Sequence, residues 1–104
     1  MDKITEIEKN IVENLKTVYD PEIAINVYDL GLIYRIDVNN DYDVDVDMTL
    51  TAPNCPMADD IIKNVNDAIK KVENIKSVSI NLVFDPPWSK DMLSEEALLE
   101  LGLL

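Results

Sequence analysis

From Lys3 to about Val18 the apolar residues Ile4, Ile7, Ile11, Leu15 and Val18 recur at spacings of three and four, with Glu6, Glu13 and Lys16 elsewhere on the wheel. That period predicts an amphipathic helix. It stops before Asp20-Pro21-Glu22, because a residue preceding proline resists the helical region. Ile23 to Val27 is a short apolar run broken by Asn26, compatible with an edge strand, and Tyr28-Asp29-Leu30-Gly31 reads as a turn. From Leu32 the period changes to two. Tyr34, Ile36 and Val38 fall on one face and Arg35 and Asp37 on the other. Asn39-Asn40-Asp41 is a turn cluster, so the run that starts at Tyr42 predicts the second arm of a hairpin. There Val44, Val46, Met48 and Leu50 face inward, and Asp43, Asp45, Asp47 and Thr49 face out. One side of the sheet is expected to be apolar, the other acidic and wet.

A rigid corner follows, Thr49-Leu50-Thr51-Ala52-Pro53-Asn54-Cys55-Pro56-Met57. Ile61, Ile62, Val65, Ala68, Ile69 and Val72 then predict a second amphipathic helix ending near Glu73-Asn74. Ser77 to Phe84 alternates again, with Val78, Ile80, Leu82 and Phe84 inward, until Asp85-Pro86-Pro87-Trp88 forbids further ladder bonds. Ser94 reads as the N-cap of a short helix through Leu101, with Glu95 and Glu96 at its positive end and Gly102 closing it. The order is helix, strand pair, helix, strand, short helix. All inward faces need cover from one side, which predicts an α+β fold, an α/β two-layer sandwich in which two helices cover one face of a small, mostly antiparallel or mixed sheet. No repeat or linker divides the 104 residues, so residues 1–104 read as one domain.

Charge and composition narrow the chemistry. Nine Lys and Arg stand against 21 Asp and Glu, a formal net charge of −12, which disfavours nucleic acid and anionic lipid as partners. There is no histidine, so Cys-His and Ser-His-Asp catalysis and the commonest zinc ligand are all removed. Gly31 and Gly102 are the only glycines, too few for a phosphate-cradling loop, so no nucleotide is expected. A single cysteine, no signal-like start and no long apolar span predict a cytoplasmic chain with no membrane segment.

Cys55 is the candidate centre. Pro53 and Pro56 bracket it, and Pro56 suits the first helical position, which sets Cys55 at or near an N-cap where the helix dipole favours a thiolate. Two readings stand beside each other: an inert buried cysteine, and a soft anionic ligand or nucleophile. One thiolate cannot complete a metal or cluster site, so a ligand role requires a homodimer, small thiols or a partner's side chains. Asp20 and Glu22 are both a helix stop and a pair of carboxylates in a stiff turn. Thr51, just before the corner, can hydrogen-bond the loop or the thiolate. The Asp43, Asp45, Asp47 row with Asp37 reads as a solvated face before it reads as a cation site. Trp88, the sole tryptophan, either caps the core or anchors a partner.

Four stretches in order, Asp20-Pro21-Glu22-Ile23, Val27 to Tyr34, Met48 to Met57, and Asp85-Pro86-Pro87-Trp88 with the closing Leu101-Gly102, resemble the iron-sulfur cluster assembly domain family that includes the SufT and PaaD proteins. The resemblance implies a compact α/β domain that helps mature iron-sulfur apoproteins, by handling a cluster or by adapting a target to the assembly machinery. It implies that Asp20, Glu22, Thr51 and Cys55 lie in or beside the functional region, with Cys55 the ligating or reactive thiol. The PaaD-like branch carries further C-terminal cysteines that are not found here up to Leu104, which points to a general assembly role.

Three functions are weighed on this basis. The first is a non-enzymatic assembly or delivery factor whose Cys55 thiolate transiently ligates iron or an iron-sulfur cluster, working with assembly proteins and client apoproteins. The second is a protein-protein adaptor that binds no metal and engages partners through Trp88 and the C-terminal helix. The third, a thiol enzyme with Asp20 or Glu22 as base, ranks last because no histidine is available.

Overall fold

The computed structural model describes residues 3–20, 25–51 and 58–102. In chain order these form α1 (Lys3–Leu15), β1 (Ile33–Val38), β2 (Asp43–Met48), α2 (Ala58–Lys70), β3 (Ser77–Leu82), a 3-10 turn (Lys90–Met92) and α3 (Glu95–Glu100). The strands lie in the order β1-β2-β3, with β1 antiparallel and β3 parallel to β2. The sheet is therefore mixed and the fold α+β, as the periodicity predicts. Ile7, Ile11 and Leu15 from α1 and Ile61, Val65, Ala68 and Ile69 from α2 bury against Val44, Val46 and Met48 of the central strand. Each fully buried side chain of this kind contributes roughly 1.5–3 kcal/mol, so β2, buried at every second residue, anchors the core.

The hairpin turn forms as expected. The Asn39 side-chain carbonyl accepts from the backbone N-H of Asp41 and of Asp43, both at 2.9 Å, and Tyr42 takes φ 65° to close it. Ser94 caps α3 by accepting from Ala97 N-H at 3.1 Å, and Gly102 follows with φ 75°.

Several expectations are corrected. α1 ends at Leu15, not near Val18, because Thr17 and Val18 bond to the carbonyls three residues back and the Thr17 hydroxyl donates to Asn14 O at 2.6 Å. Val18 still reaches the core. α2 likewise ends at Lys70 and not near Asn74, with Val72 buried beyond it and Asn74 at φ 74°. No edge strand forms in the described part of Ile23 to Val27; the contact is a single bridge between Tyr19 and Asn26. Within β1, Ile33 faces Met48 and Arg35 faces Asp47, so Tyr34 is the extra residue of a bulge and Ile33 takes the inward place expected of it. β3 stops at Leu82, and Leu82 and Phe84 are 39% and 44% exposed, not inward. Val83 N-H still reaches Met48 O at 2.8 Å, but β2 ends there and offers nothing further to pair with.

Residues 25–32 join these pieces. Asn26 and Asp29 are buried and satisfy each other: the Asn26 amide donates to the Asp29 carboxylate at 2.7 Å, and Asp29 N-H donates to the Asn26 side-chain oxygen at 2.9 Å. The turn so shaped presents Leu30 O to the Trp88 indole N-H at 2.6 Å and Asp29 O to Ser94 N-H at 2.9 Å. Gly31 sits at φ 82°, and a Cβ there would collide with the Met92 carbonyl and lie 2.8 Å from Met92 Cβ.

Gly31→Ala is expected to lose about 3 kcal/mol, combining left-handed strain with overpacking. Gly102→Ala, whose Cβ meets no atom of the described residues within 4 Å apart from its chain neighbours, bears the strain alone, about 1 kcal/mol. Urea denaturation of both variants checks this, and equal losses would show that the Met92 contact does not matter.

Candidate functional site

Asp20 follows α1 and is only 2% exposed, although a carboxylate in a surface turn is normally solvated. Its N-H donates to Ile25 O at 3.0 Å, and Val27 N-H donates back to Val18 O at 2.8 Å. These bonds tie the Asp20 loop to the start of the 25–32 turn. At the other end of the same turn, Thr49 N-H donates to Leu32 O at 2.8 Å, which fixes the chain as it leaves β2 toward Thr51. Two of the candidate residues, Asp20 and Thr51, are thus carried by segments fastened to one turn. Thr51 itself is half-buried. Cys55, with the bracketing prolines and the expected N-cap, and Glu22 lie outside the described residues.

Thr49 departs from expectation. Alternation through β2 places it on the wet face, but β2 ends at Met48, and the chain turns so that Thr49 is fully buried. Its hydroxyl has no hydrogen-bond partner among the described residues. Burying an unpaired hydroxyl costs about 1–3 kcal/mol, and this one stands two residues before Thr51. Periodicity could not have found it, since the strand's end and not its pattern turned the side chain in.

Trp88 is half-buried and packs against the core, with its indole N-H on Leu30 O at 2.6 Å. Beside it the Tyr34 hydroxyl donates to Pro86 O at 2.7 Å. The double proline segment is therefore held against the 25–32 turn and β1.

On the wet face the acidic row already has a cation. Arg35 reaches Asp45 with Nη2 at 2.6 Å and Asp47 with Nε at 3.0 Å, and lies 3.6 Å from Asp37. Asn81 donates to Asp45 at 2.8 Å and to Asp47 at 3.0 Å, and Ser77 donates to Asp43 at 2.6 Å. This is a hydrogen-bonded surface ladder, which supports the solvated-face reading of the row. The Arg35 hydrogen bond, helped by Asn81, holds the Asp47 carboxyl below its ordinary 3.8. Ser77, then Asn39, do the same for Asp43. Arg35 is raised in turn, first by Asp47 and then by Asp45. Among the described residues no group of three or more cysteine or carboxylate side chains is placed to hold a metal ion, and no helix is long and apolar enough to cross a membrane.

Comparison with known proteins gives a consistent result. The model of a family described as iron-sulfur cluster assembly protein matches residues 8–82. That span runs from within α1 to the end of β3 and includes Asp20, Glu22, Thr51 and Cys55, but not Trp88 or α3. A Porphyromonas gingivalis protein named Fe-S protein maturation auxiliary factor is 61% identical over 97 residues, covering 93% of this chain and 92% of that one. The Staphylococcus aureus Fe-S protein maturation auxiliary factor SufT is 41% identical over 86 residues, covering 83% and 98%. The crystal structure of a domain of unknown function, DUF59, from Bacillus anthracis superimposes with a TM-score of 0.89 at 32% identity, covering 96% of this chain and 95% of that one.

Two outcomes are expected. Thr49→Val keeps the shape and removes the unpaired hydroxyl, so it should stabilise the fold by about 1 kcal/mol in urea denaturation; a loss of stability would mean that the hydroxyl is satisfied in solution. The lowered native pKa values of Asp47 and Asp43 mean that the unfolded chain binds these protons first as pH falls. Their stabilisation is present above the ordinary 3.8 and disappears as pH drops through the lower native values. Arg35→Gln should therefore flatten the acid limb of the urea midpoint against pH, and a limb as steep as in the parent would sink the assignment.

Proposed function

The chain belongs to the iron-sulfur cluster assembly protein family, and on that premise we propose that it helps mature iron-sulfur apoproteins, with the Cys55 thiolate transiently ligating iron or a cluster. The observation that carries this reading is the family match over residues 8–82, which includes the chain's single thiol. The cluster is cargo here. The Cys55 thiol gives its proton to solvent, and its thiolate displaces one thiolate or water from iron. A client thiolate then displaces Cys55 in the same way, so that the cargo passes on and Cys55 is free to take up a proton again. A cluster takes about four protein ligands, so the others come from a second copy, small thiols or the assembly partner. One protein ligand gives a hold weak enough to reverse.

In this reading Thr51 steadies the corner before Cys55, and the Asp20 loop, with Glu22, assists or docks. Asp20 is buried, so its part is to shape that loop more than to meet solvent. The work takes place in the cytoplasm, where a lone thiol stays reduced. No nucleotide takes part, and energy from ATP, if the process needs it, comes from a partner.

A second reading is favoured by a specific observation: α3 is fastened to the body through Ser94 but leaves Leu99 60% and Leu101 39% exposed. An adaptor would use this apolar surface to hold a client without touching metal.

Anaerobic reconstitution with ferrous iron and sulfide, beside Cys55→Ser, separates the two. A coloured species with iron bound at about one cluster per two chains, absent in the variant, is the expected result. A folded chain that takes up no iron in either form would overturn the carrier reading in favour of the adaptor.

A further inference from the structure

In a chain of which 29% is charged, Ser77 to Phe84 carries no charge at all. That stretch is β3 and its exit, at one edge of the sheet. Soluble proteins normally blunt such an edge with lysine, proline or a bulge. The opposite edge obeys: β1 has Arg35, Asp37 and the bulge at Tyr34. β3 does not. Its register with β2 is unbroken from Ser77 to Leu82, and the first proline after it is Pro86. Among the described residues no strand pairs with its outer side. Alternate N-H and C=O groups thus face outward, beside half-buried Val78 and Ile80 and the exposed Leu82 and Phe84.

Charge selects the occupant. Asp43, Asp45 and Asp47 lie one strand in from this edge; β3 covers them with the neutral Ser77 and Asn81, and Lys76, just before β3, acts on Asp43 alone. Arg35 reaches Asp45 and Asp47 from the β1 side. A strand added outside β3 would lie about 10 Å from β2, within reach of a lysine or arginine on the same face. A second copy of this chain would instead set two acidic faces side by side, each from a chain of net charge −12.

The geometry points to the β3 edge as a docking site for an extended segment of a partner protein, apolar at alternate positions and lysine or arginine between them. The segment adds a fourth strand, gains main-chain hydrogen bonds from β3, packs its apolar side chains beside Ile80, Leu82 and Phe84, and lays its cations over the aspartate row. No metal is needed, so this docking stands or falls separately from the role of Cys55.

The test uses the full chain and a capped peptide of about nine residues alternating valine and lysine, long enough to span β3. Controls are a peptide of the same composition in two blocks and one alternating valine and glutamate. Amide hydrogen exchange is expected to slow by about tenfold or more across Ser77 to Leu82 with the valine-lysine peptide only, less so as salt is added. Ser79→Lys, at an exposed polar position, should leave thermal melting unchanged and weaken binding by about tenfold. Equal protection by the block peptide, or protection away from β3, would reduce the effect to general charge attraction and overturn the site. Slow β3 exchange without peptide, in a chain that sediments as a dimer, would overturn the occupant in favour of a second copy.

Discussion

The buried pair Asn26 and Asp29 is the constraint on which the rest depends. A neutral amide and a carboxylate at 8% and 9% exposure would each cost about 1–3 kcal/mol if left unpaired. They satisfy one another within a single turn, and the two bonds together hold its shape. That shape aims the carbonyls of Asp29 and Leu30 at Ser94 and Trp88, brings Gly31 flush against Met92, and leaves Leu32 O to receive Thr49. The loop after α1, the exit of β2 and the C-terminal segment are far apart in sequence. They meet because one short segment presents its backbone to all three.

The sheet divides the remaining physics. Its inner face is held by burial, with Val44, Val46 and Met48 essentially without solvent. Its outer face is held by hydrogen bonds among exposed groups, where each ion pair is worth little alone because water screens it. Arg35 matters there as a planar fork engaging two carboxylates across neighbouring strand positions, a geometry that lysine could not reproduce. The same ladder leaves the strand beyond it without charge, so the acidic surface and the unguarded edge are two results of one pattern.

Elements whose residues repeat with a fixed period were legible in the sequence: both long helices, the hairpin, the third strand and the cap at Ser94. The errors cluster where the period ends. Thr49 continues the alternation on paper, but β2 stops one residue earlier and the side chain turns inward. Leu82 and Phe84 keep the period yet stay exposed, Leu82 as the last residue of the ladder, opposite Met48, and Phe84 beyond its end. Tyr34 misleads because a bulge adds one residue without any glycine or proline to mark it. Tyr28 to Gly31 reads as a turn from the sequence, but Asn26 reads only as a break in an apolar run, because nothing local says that Asn26 and Asp29 will be buried together. Of the candidate site, the burial of Asp20 could not be seen either; it accompanies a backbone bond to Ile25 that no local pattern announces.

A factor that passes cargo on must bind it loosely and still deliver it to the right place. A full set of thiolates binds a cluster tightly and shares it slowly, whereas one thiolate has little affinity by itself. Selectivity in such a chain cannot come from the metal ligand. It has to come from surfaces that recognise the client before exchange begins. The proposed division follows from this: the corner at Cys55 supplies a single reversible ligand, while the parts fastened by the 25–32 turn and the uncharged β3 edge supply recognition. The prolines on either side of Cys55 would serve the first, because a ligand contributing one bond has to be in position when the partner arrives. Openness in the second is useful because an edge that is satisfied within its own fold has nothing left to offer a client.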